Sequence, residues 1–411
     1  MKTTNVDNII FLSEKINLRA GGPSGYIANL ENGLAQVPSD NVVIICNKKS
    51  EEPKKSRLKE FIAKSCTFFI FKKQTRRILR NKILSLLGER PWYVIKKDID
   101  KYYADQLDQY TFKTITCHLC KDVIGIRNYL NKRRKNARII QMSHSPCLPS
   151  AEVRDILKNT SWINWQKVVA DWQKLEKDAF FSSDILLAPA PESLGPYMDE
   201  AEYFKELESL KPFKYLPTGC VQLKTDKTRE ALRQQYNIKT DFVISYIGRH
   251  IPIRGYDILK DIAAKILAEN DNVTFLIGGR LDEFNPPLDH PRWVELGQIN
   301  PAEVLYCSDL FISAGRQSYF DLILLEVLSA GCPVFASNIH GNKAVSRMTN
   351  AVTLFDTKEQ CISLIEEFLK LPPEKRVDMS KRAAAAYSEY FTPKKFAENY
   401  LKMIKEICDE N

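Results

Sequence analysis

The sequence predicts an α/β protein of two domains, each built around a parallel sheet. With 411 residues the chain is too long for one ordinary core, because single hydrophobic cores stop growing near ~250–300 residues. Short apolar runs alternate along the chain with polar stretches of helical periodicity; examples are NIIFL, VVIIC and NVTFLIGG. This alternation is typical of parallel strands covered by helices on both faces of the sheet.

The first half opens with a strand–helix–strand unit. The run NIIFL is followed by a glycine-bearing turn and then by apolar residues at helical spacing, namely Tyr26, Ile27, Leu30 and Leu34. Three more strands are predicted at Thr114–Cys117, Arg138–Met142 and Ile185–Ala188. From Glu206 to Leu223 the pattern lapses, and KPFKYLPTGC contains two prolines and a glycine, so we place a linker there.

The second half contains five strands that end in glycine or in a small polar residue before a helix begins. Ligands of open α/β sheets bind beyond the carboxyl ends of the strands. We therefore expect five loops to share one rim, those at Gly248, Gly278, Gly297, Gly315 and Ser337. The predicted domains are residues 1–205 and 206–390, and residues 391–411 are predicted to form a helix that packs back toward the first domain.

Composition is typical of a globular protein, with 44% hydrophobic and 27% charged residues. No uninterrupted apolar run approaches the ~20 residues that span a bilayer, and the first apolar run is shorter than the ~7–15 residues of a signal-peptide core. Ten cysteines are scattered through a long chain, which favours free thiols in a reducing compartment. We therefore expect a cytoplasmic protein.

Positive charge is concentrated in one segment. Residues 48–97 hold 16 Lys or Arg and four Glu, a net charge of +12 in a chain whose net charge is +9. Apolar residues alternate there at helical spacing with Arg76, Arg77, Arg80 and Lys82, which predicts a basic amphipathic helix. Such a helix binds an anionic membrane surface peripherally, or it is an ordinary helix with a solvated charged face, and both interpretations stay open. Nucleic-acid binding is not expected, because no recognised module accompanies the basic residues.

The segment Ser313–Ser337, SAGRQSYFDLILLEVLSAGCPVFAS, carries the most specific pattern. It resembles the carboxyl-terminal signature of GT-B fold glycosyltransferases of family four, in which two glutamates eight positions apart bracket a Gly-Phe-Gly turn and a helix. Glu326 falls on the second glutamate, and Ser318 stands at the place of the first. Tyr319 and Asp321 replace the two glycines around Phe320.

The resemblance implies the GT-B fold, with two Rossmann-like domains whose parallel sheets face a central cleft. It also implies transfer of a sugar from a nucleotide diphosphate sugar with retention of anomeric configuration. Glu326 would accept hydrogen bonds from two ribose hydroxyls through its two oxygens. Residues 318–321 would contact the donor, and the start of the following helix would offer backbone N–H groups to phosphate oxygens.

A second pattern, Gly248-Arg249 followed by Arg254-Gly255, resembles the family's diphosphate clamp, with Arg254 in place of the usual lysine. Two fixed cations can stabilise the negative charge that builds on a departing diphosphate. Two ordinary surface arginines are the alternative, because arginine is usually exposed. We also assign Gly297 and Ile299, at a neighbouring strand exit, to the substrate-binding surface.

In the first domain, Gly21 and Gly22 resemble the family's Gly-Gly loop, where missing side chains let backbone amides approach the donor or the acceptor; a simple tight turn is the alternative. His144, in IIQMSHSP, aligns in order with the family histidine that hydrogen-bonds the transferred sugar. A structural histidine at a strand end is the other interpretation of His144. His118, one strand earlier, is a weaker candidate for the same role.

We expect neither a metal nor another cofactor. Cys117-His118-Leu119-Cys120 has no second pair of matching spacing, whereas a zinc site needs about four ligands. The Asp98-Ile99-Asp100 triplet follows two lysines in a basic, helix-like stretch. A metal site is therefore not predicted from either motif.

The sequence thus favours a glycosyltransferase of the hexosyltransferase type, with a glycan or lipid-linked acceptor and a role in polysaccharide biosynthesis. Ser318 leaves a second hypothesis open, in which a transferase-like subunit has lost activity and acts as a binding or scaffold partner. An epimerase or a phosphorylase of the same fold is a third.

Overall fold

The computed structural model describes residues 3–15, 22–37, 39–47, 95–159, 163–282 and 285–410. Within these residues the strands form two six-stranded sheets, and every pair of neighbouring strands in them is parallel. The strands are β1 Thr4–Lys15, β2 Val42–Asn47, β3 Tyr110–Cys117, β4 Arg138–Met142, β5 Ile185–Ala188, β6 Phe213–Tyr215, β7 Phe242–Ile247, β8 Val273–Gly278, β9 Trp293–Gly297, β10 Leu310–Ser313, β11 Val334–Ser337 and β12 Val352–Phe355.

The described helices cover both faces of these sheets, as the alternation of apolar and polar segments predicts. They are α1 Pro23–Leu34, α2 Lys101–Leu107, α3 Cys120–Arg133, α4 Pro149–Leu157, α5 Trp165–Ser182, α6 Gly195–Glu200, α7 Glu202–Leu210, α8 Arg229–Gln235, α9 Tyr256–Glu269, α10 Pro301–Tyr306, α11 Leu322–Ser329, α12 His340–Thr349, α13 Lys358–Lys370, α14 Pro373–Ala386 and α15 Pro393–Asp409. Short 3₁₀ turns lie at Pro191–Leu194 and Pro252–Arg254, and a π turn lies at Tyr387–Phe391.

Each sheet contains one point at which the strand order reverses. The first sheet has the order β2-β1-β3-β4-β5-β6, so the chain moves outward from β1 and then returns to its other side at β3. The second sheet has the order β12-β11-β10-β7-β8-β9, with the same reversal between β7 and β10. Loops that leave the carboxyl ends of strands at such a reversal diverge and open a crevice for a ligand.

The first domain extends beyond the predicted boundary at residue 205. Helix α7 runs across that position, and β6 pairs with β5 through Leu186–Phe213, Leu187–Lys214 and Ala188–Tyr215. The predicted linker therefore contains the last strand of the first sheet. A strand of three residues beside two prolines is too short to show an apolar pattern. Strand β12 at the edge of the second sheet is likewise an addition to the predicted strands.

The last helix, α15, packs on the first domain. Its buried face includes Phe396, Tyr400 and Ile404, which join the core formed by α1 and the central strands of the first sheet. The Tyr400 hydroxyl donates a hydrogen bond to Oδ1 of Asn8 at 2.7 Å and lies 2.9 Å from the hydroxyl of Thr116. The chain thus returns to the domain in which it began.

Two segments connect the domains, one after β6 and one at the π turn before α15. They lie against each other, because the Cys220 N–H donates to the Phe391 carbonyl at 2.9 Å and the Tyr387 hydroxyl donates to the Cys220 carbonyl at 2.9 Å. Gly219 is tightly enclosed, since a β-carbon there would come within 2.7 Å of Phe396. The two connections therefore act as one stiff joint at one side of the cleft.

The predicted basic amphipathic helix lies in residues 48–94, outside the described residues, and its hypothesis of membrane binding stays a prediction. Among the described helices, none combines the length and the apolar character needed to cross a bilayer.

The contact between α1 and α15 gives the first testable prediction. A methyl group on Gly33 would overlap the carbonyl of Pro393 and come within 2.8 Å of the Ala397 β-carbon. Helix propensity alone favours Ala over Gly by about 1 kcal/mol, but overpacking costs typically 1–3 kcal/mol and here meets backbone atoms. We expect Gly33→Ala to lower the free energy of unfolding by about 2 kcal/mol, as measured by urea denaturation.

Gly297→Ala is the control for the substitution itself, since no atom lies within 4 Å of the added methyl, although its φ of +66° costs about 1 kcal/mol. A Gly33→Ala variant as stable as the wild type would show that α15 does not press on α1.

Candidate functional site

A cavity of about 770 Å³ lies between the two domains and is lined by loops from both. This volume is in the usual range for small-ligand sites, about 300–1,000 Å³. Its walls come from the carboxyl ends of strands near both points of reversed strand order, including loops that follow β4, β7 and β10. Nine of the twelve residues predicted from sequence line it, and they are Gly22, His144, Arg249, Arg254, Ser318, Tyr319, Phe320, Asp321 and Glu326.

The two arginines lie on one loop after β7, and the hydroxyl of Tyr246 is hydrogen-bonded to the backbone of this loop. The single proton of the Tyr246 hydroxyl is shared between the backbone carbonyls of Arg249 and Arg254, which lie 3.1 and 3.4 Å from the hydroxyl oxygen. Gly255 closes the loop with a φ of +67°, and a side chain there would overlap the backbone of Ala314. Burial raises the pKa of Tyr246, so its hydroxyl stays neutral and remains a donor. The loop thus presents both guanidinium groups to the cavity.

The two guanidinium groups differ in their partners. Arg254 donates from Nη1 to Oδ2 of Asp321 at 2.7 Å, and this carboxylate raises the pKa of Arg254 further. Arg249 is exposed, and none of the described acidic side chains forms a salt bridge with it. One cation is therefore free to bind an anion in the cavity, and the other already has an anionic partner.

Glu326 lies on α11, in the otherwise apolar stretch LILLEVLSAG, and lines the cavity. Burial raises the pKa of its carboxyl to about 7, because the charged form loses hydration. None of the described residues donates a hydrogen bond to this carboxylate; the bonds at this position are to its backbone carbonyl. A partly buried carboxylate without a protein donor is suited to accept hydrogen bonds from a ligand, since those bonds would offset its lost hydration.

The turn at residues 318–321 differs most from the glycine-containing turn of the family. Ser318 is buried, and its hydroxyl has no partner among the described residues. Tyr319 reaches across the cleft into the core of the first domain, with its ring centroid 6.1 Å from that of Tyr197. The Ser193 hydroxyl, also from the first domain, donates to the Tyr319 carbonyl at 2.5 Å. The turn is thus fastened to the opposite domain.

Phe320 points the other way, into the core of the second domain, where its ring lies 6.1 Å from that of Phe391. Gly341 permits the close approach of α12, because a β-carbon there would meet the Phe320 nitrogen at 2.9 Å and overlap the Tyr319 carbonyl. The turn therefore has little freedom to change shape, and helix α11 begins directly after it, at Leu322.

On the first-domain side, His144 lines the cavity and is backed by two aromatic residues. Its Nε2 lies 2.7 Å from Nδ1 of His118, and the Tyr26 ring packs against both imidazoles at 5.1 and 5.2 Å. Burial lowers the pKa of His118 to about 3 and holds the pKa of His144 well below its usual value. Both rings are therefore neutral near pH 7, and one N–H is shared between them.

The direction of that hydrogen bond follows from the other nitrogen of His118. Its Nε2 is buried without a partner among the described residues. A buried N–H without an acceptor is rare in proteins, so we assign the proton of His118 to Nδ1, which donates to His144. His144 then carries its own proton on Nδ1. The ring offers this N–H as a hydrogen-bond donor for a ligand in the cavity.

The remaining predicted residues lie elsewhere. Gly21 lies outside the described residues, whereas the adjacent Gly22 adopts a φ of +69° just before α1. Gly297 and Ile299 do not line the cavity, and their assignment to the substrate-binding surface stays a prediction. Ile299 packs instead in a small apolar cluster beside Val304. Spacing from a strand end predicts the rim but not the direction in which a side chain points.

Several lining residues were not predicted from sequence, among them Tyr26, Lys224 and Tyr246. Tyr26 reads as one apolar position on α1, and Tyr246 reads as an inward position of a strand. Lys224 follows the predicted linker, in a segment with no regular pattern. The signal that could have found the two tyrosines is an aromatic with a hydroxyl among apolar positions, since a buried Tyr hydroxyl usually has a polar partner. Lys224 carries no such signal.

In the part of the chain that the structure describes, no three His, Cys, Asp or Glu side chains are grouped so that they could hold a metal ion. The expectation that the protein needs neither metal nor other cofactor stays a prediction.

Residues 241–371, which carry the arginine loop and Glu326, match the model of the family Glycosyl transferases group 1. The resemblance inferred from the two motifs is therefore confirmed. A search of curated protein sequences found no match to this chain.

The fold is that of GT-B glycosyltransferases, as solved structures show. Sucrose-phosphate synthase from Thermosynechococcus elongatus is similar with a TM-score of 0.62 at 14% identity, over 99% of this chain and 100% of that one. HepE of Anabaena, solved in complex with UDP, is similar with a TM-score of 0.60 at 14% identity, over 98% and 100%. The amino-terminal domain of Candida albicans trehalose-6-phosphate phosphatase gives 0.56 at 11% identity, over 99% and 97%. The predicted fold class is confirmed.

The raised pKa of Glu326 predicts a pH-dependent loss of stability. Its folded-state pKa of about 7 lies above its ordinary value of 4.5. Between these values the folded protein holds a proton that the unfolded chain has released, so this contribution to stability falls as pH rises through the window. Glu326→Gln removes it. We expect the variant to exceed the free energy of unfolding of the wild type by less than about 1 kcal/mol near pH 5 and by up to about 3 kcal/mol at pH 8.

Chemical denaturation at both pH values measures this difference. Glu303→Gln is a control of opposite sign, because hydrogen bonds from Lys227 and Tyr236 lower the pKa of Glu303. That variant should lose stability relative to the wild type as pH rises. An equal difference between Glu326→Gln and the wild type at pH 5 and pH 8 would contradict the assigned burial.

The histidine pair gives a spectroscopic prediction. His118→Asn keeps an N–H donor near the position of Nδ1, whereas His118→Leu removes it. We expect ¹⁵N chemical shifts to place the proton of His144 on Nδ1 in the wild type and in His118→Asn, and to show a mixture of tautomers in His118→Leu. The chain has five histidines, so comparison with His144→Ala assigns the signal. A wild-type His144 protonated on Nε2 would reverse the assigned direction.

Proposed function

We propose that the protein is a glycosyltransferase of the hexosyltransferase type that transfers a sugar from a nucleotide diphosphate sugar to an acceptor, with retention of configuration and without a metal. One observation carries the proposal: two arginines and a partly buried carboxylate from the second domain line the same cavity as a histidine from the first. They are Arg249, Arg254, Glu326 and His144. The match of residues 241–371 to the glycosyltransferase family supports the same conclusion.

Each group has a distinct role in this proposal. Arg249 and Arg254 bind the diphosphate and stabilise the charge that grows on it as the glycosidic bond breaks. Glu326 accepts hydrogen bonds from the ribose hydroxyls, and the raised pKa of its free carboxyl falls again once these donors are bound. His144 donates from Nδ1 to an oxygen of the transferred sugar.

The sugar end of the cavity is neutral at the position of the family's first glutamate, where the Ser318 hydroxyl is buried and unpaired among the described residues. This hydroxyl can donate to or accept from a sugar oxygen, so it can replace one of the contacts that a carboxylate would make. Binding at this position is accordingly weaker than with a carboxylate, because a charged partner roughly doubles the strength of a hydrogen bond.

The base of the donor nucleotide and the class of acceptor are further parts of the proposal. HepE of Anabaena, a structural neighbour, was solved with UDP-glucose, which makes uridine donors the first to test. We further propose a glycan or lipid-linked acceptor, a role in polysaccharide biosynthesis, and a cytoplasmic location with peripheral membrane contact. The basic residues of the segment 48–97 support these last points, because a lipid-linked acceptor lies at an anionic surface.

The test is a panel of UDP-, GDP- and ADP-sugars examined by thermal shift and by release of the nucleoside diphosphate. A ligand that binds only the folded state raises its stability, so one donor should raise the melting temperature and be turned over. Arg249→Ala and Glu326→Ala should lower kcat/KM at least 100-fold. Arg280→Ala is the matched control and should stay within twofold, since Arg280 is an exposed arginine of the same domain that does not line the cavity.

Turnover that survives EDTA would agree with metal-independent transfer. Binding without turnover of any donor would favour the alternative of a transferase-like binding subunit. The absence of binding to every nucleotide sugar would contradict the proposed function.

A further inference from the structure

The part of the cavity expected to bind the donor phosphates already contains a carboxylate. Asp321 lines the cavity and accepts a hydrogen bond from Arg254 at 2.7 Å. The pair is partly covered, with 30% of the Arg254 side chain and 18% of the Asp321 side chain exposed. Ion pairs that lie partly out of water are screened less by salt than exposed ones, so this contact is a significant electrostatic interaction.

Asp321 also immediately precedes α11, whose first residue is Leu322. Its side chain makes no capping hydrogen bond to the helix, because it is directed to Arg254 instead. A carboxylate next to a helix N-terminus nonetheless reduces the positive potential that the unpaired N–H groups create there. The sequence offers two features to a phosphate, the guanidinium of Arg254 and the start of α11. The carboxylate of Asp321 lies next to both and reduces the positive potential of each.

The charged side chains that line the cavity are nearly balanced in sign. Its described lining contains three cations, Arg249, Arg254 and Lys224, and two carboxylates, Asp321 and Glu326. With Glu326 engaged by the ribose, Asp321 remains as the acid that opposes a bound diphosphate. A negative charge beside a phosphate site repels the ligand and also holds a cation that the ligand needs.

We propose that Asp321 competes with the donor phosphates for Arg254: it occupies the guanidinium in the free protein, so that a nucleoside diphosphate must displace it to bind. The inference rests on the proposed function, in which Arg254 contacts the diphosphate. The wild type then holds its nucleoside diphosphate product more weakly than the lining cations alone would allow. Release of the product is favoured for the same reason, because Asp321 re-forms its bond to Arg254 as the diphosphate leaves.

The experiment is isothermal titration of UDP, GDP and ADP, with uridine, guanosine and adenosine as uncharged counterparts, into the wild type and Asp321→Asn. We expect Asp321→Asn to bind the preferred nucleoside diphosphate about tenfold more tightly and the nucleoside unchanged. In Arg254→Ala the further change of Asp321 to Asn should gain less than twofold, because the cation that Asp321 occupies is absent. This coupling distinguishes the proposal from a general loss of negative charge.

The matched control is Asp309→Asn. Asp309 pairs with Arg229 at the same 2.7 Å, and the two side chains are covered to a similar extent, 36% and 22% exposed. Neither residue lines the cavity, so this variant should leave the affinity unchanged. Asp321→Ser is a second neutral variant, in which a good helix N-cap protects against misfolding, and it should show the same gain.

The outcomes separate the inference from the proposed function. Wild type that binds a nucleoside diphosphate, together with an Asp321→Asn variant that binds it equally or more weakly, overturns the inference and leaves the proposed function intact. Binding by the variant but not by the wild type supports the inference. If neither protein binds any of the three diphosphates, both proposals fail.

Discussion

The direction of the strands is the constraint on which the remaining structure depends. Neighbouring strands in both sheets are parallel, so every strand of a sheet ends at the same edge and delivers its loop there. The loops after β7 and β10 diverge at the reversal of strand order in the second sheet, and those loops carry Arg249, Arg254, Ser318 and Asp321. Residues far apart in sequence reach one cavity without any long connection.

The charges in this cavity are partly withdrawn from water, and that is what makes them useful. Glu326 is costly to ionise because burial removes hydration from its carboxylate, and a hydrogen bond from a ligand hydroxyl would recover part of that cost. Arg254 is balanced by Asp321, so it is held in place before a ligand arrives but is not freely available. Arg249 has no such partner among the described residues. Among the described residues, the same cavity therefore combines an unpaired cation (Arg249), a cation paired with a carboxylate (Arg254) and a carboxylate without a hydrogen-bond donor (Glu326).

The two domains are held together by contacts beyond those of their two connecting segments. Helix α15 returns to the first domain, where Tyr400 is hydrogen-bonded to the central strands. Tyr319 spans the cleft from the opposite side and is buried in the first-domain core. Tyr319, which stands in place of a family glycine, thus buries apolar surface and links the two domains. It also restricts the conformation of the turn that faces the cavity. If the domains move about their joint, Tyr319 must either leave the first-domain core or stay there while the turn at residues 318–321 moves with the first domain.

The sequence by itself determined the two α/β domains, most of the strands, and the arginines and glutamate that line the cavity. These depend on local signals: the period of apolar residues, the glycine at a strand exit, and a charged residue in an apolar helix. Three features were decided by tertiary structure alone: the pairing of Arg254 with Asp321, the contact of His118 with His144, and the insertion of Tyr319 into the other domain. Each joins residues distant in sequence, 67 positions apart for the first, and partner choice there depends on how the sheets and domains pack. The position of β6 and the direction of Ile299 belong with these, because a short strand and a single side chain leave no periodic signal.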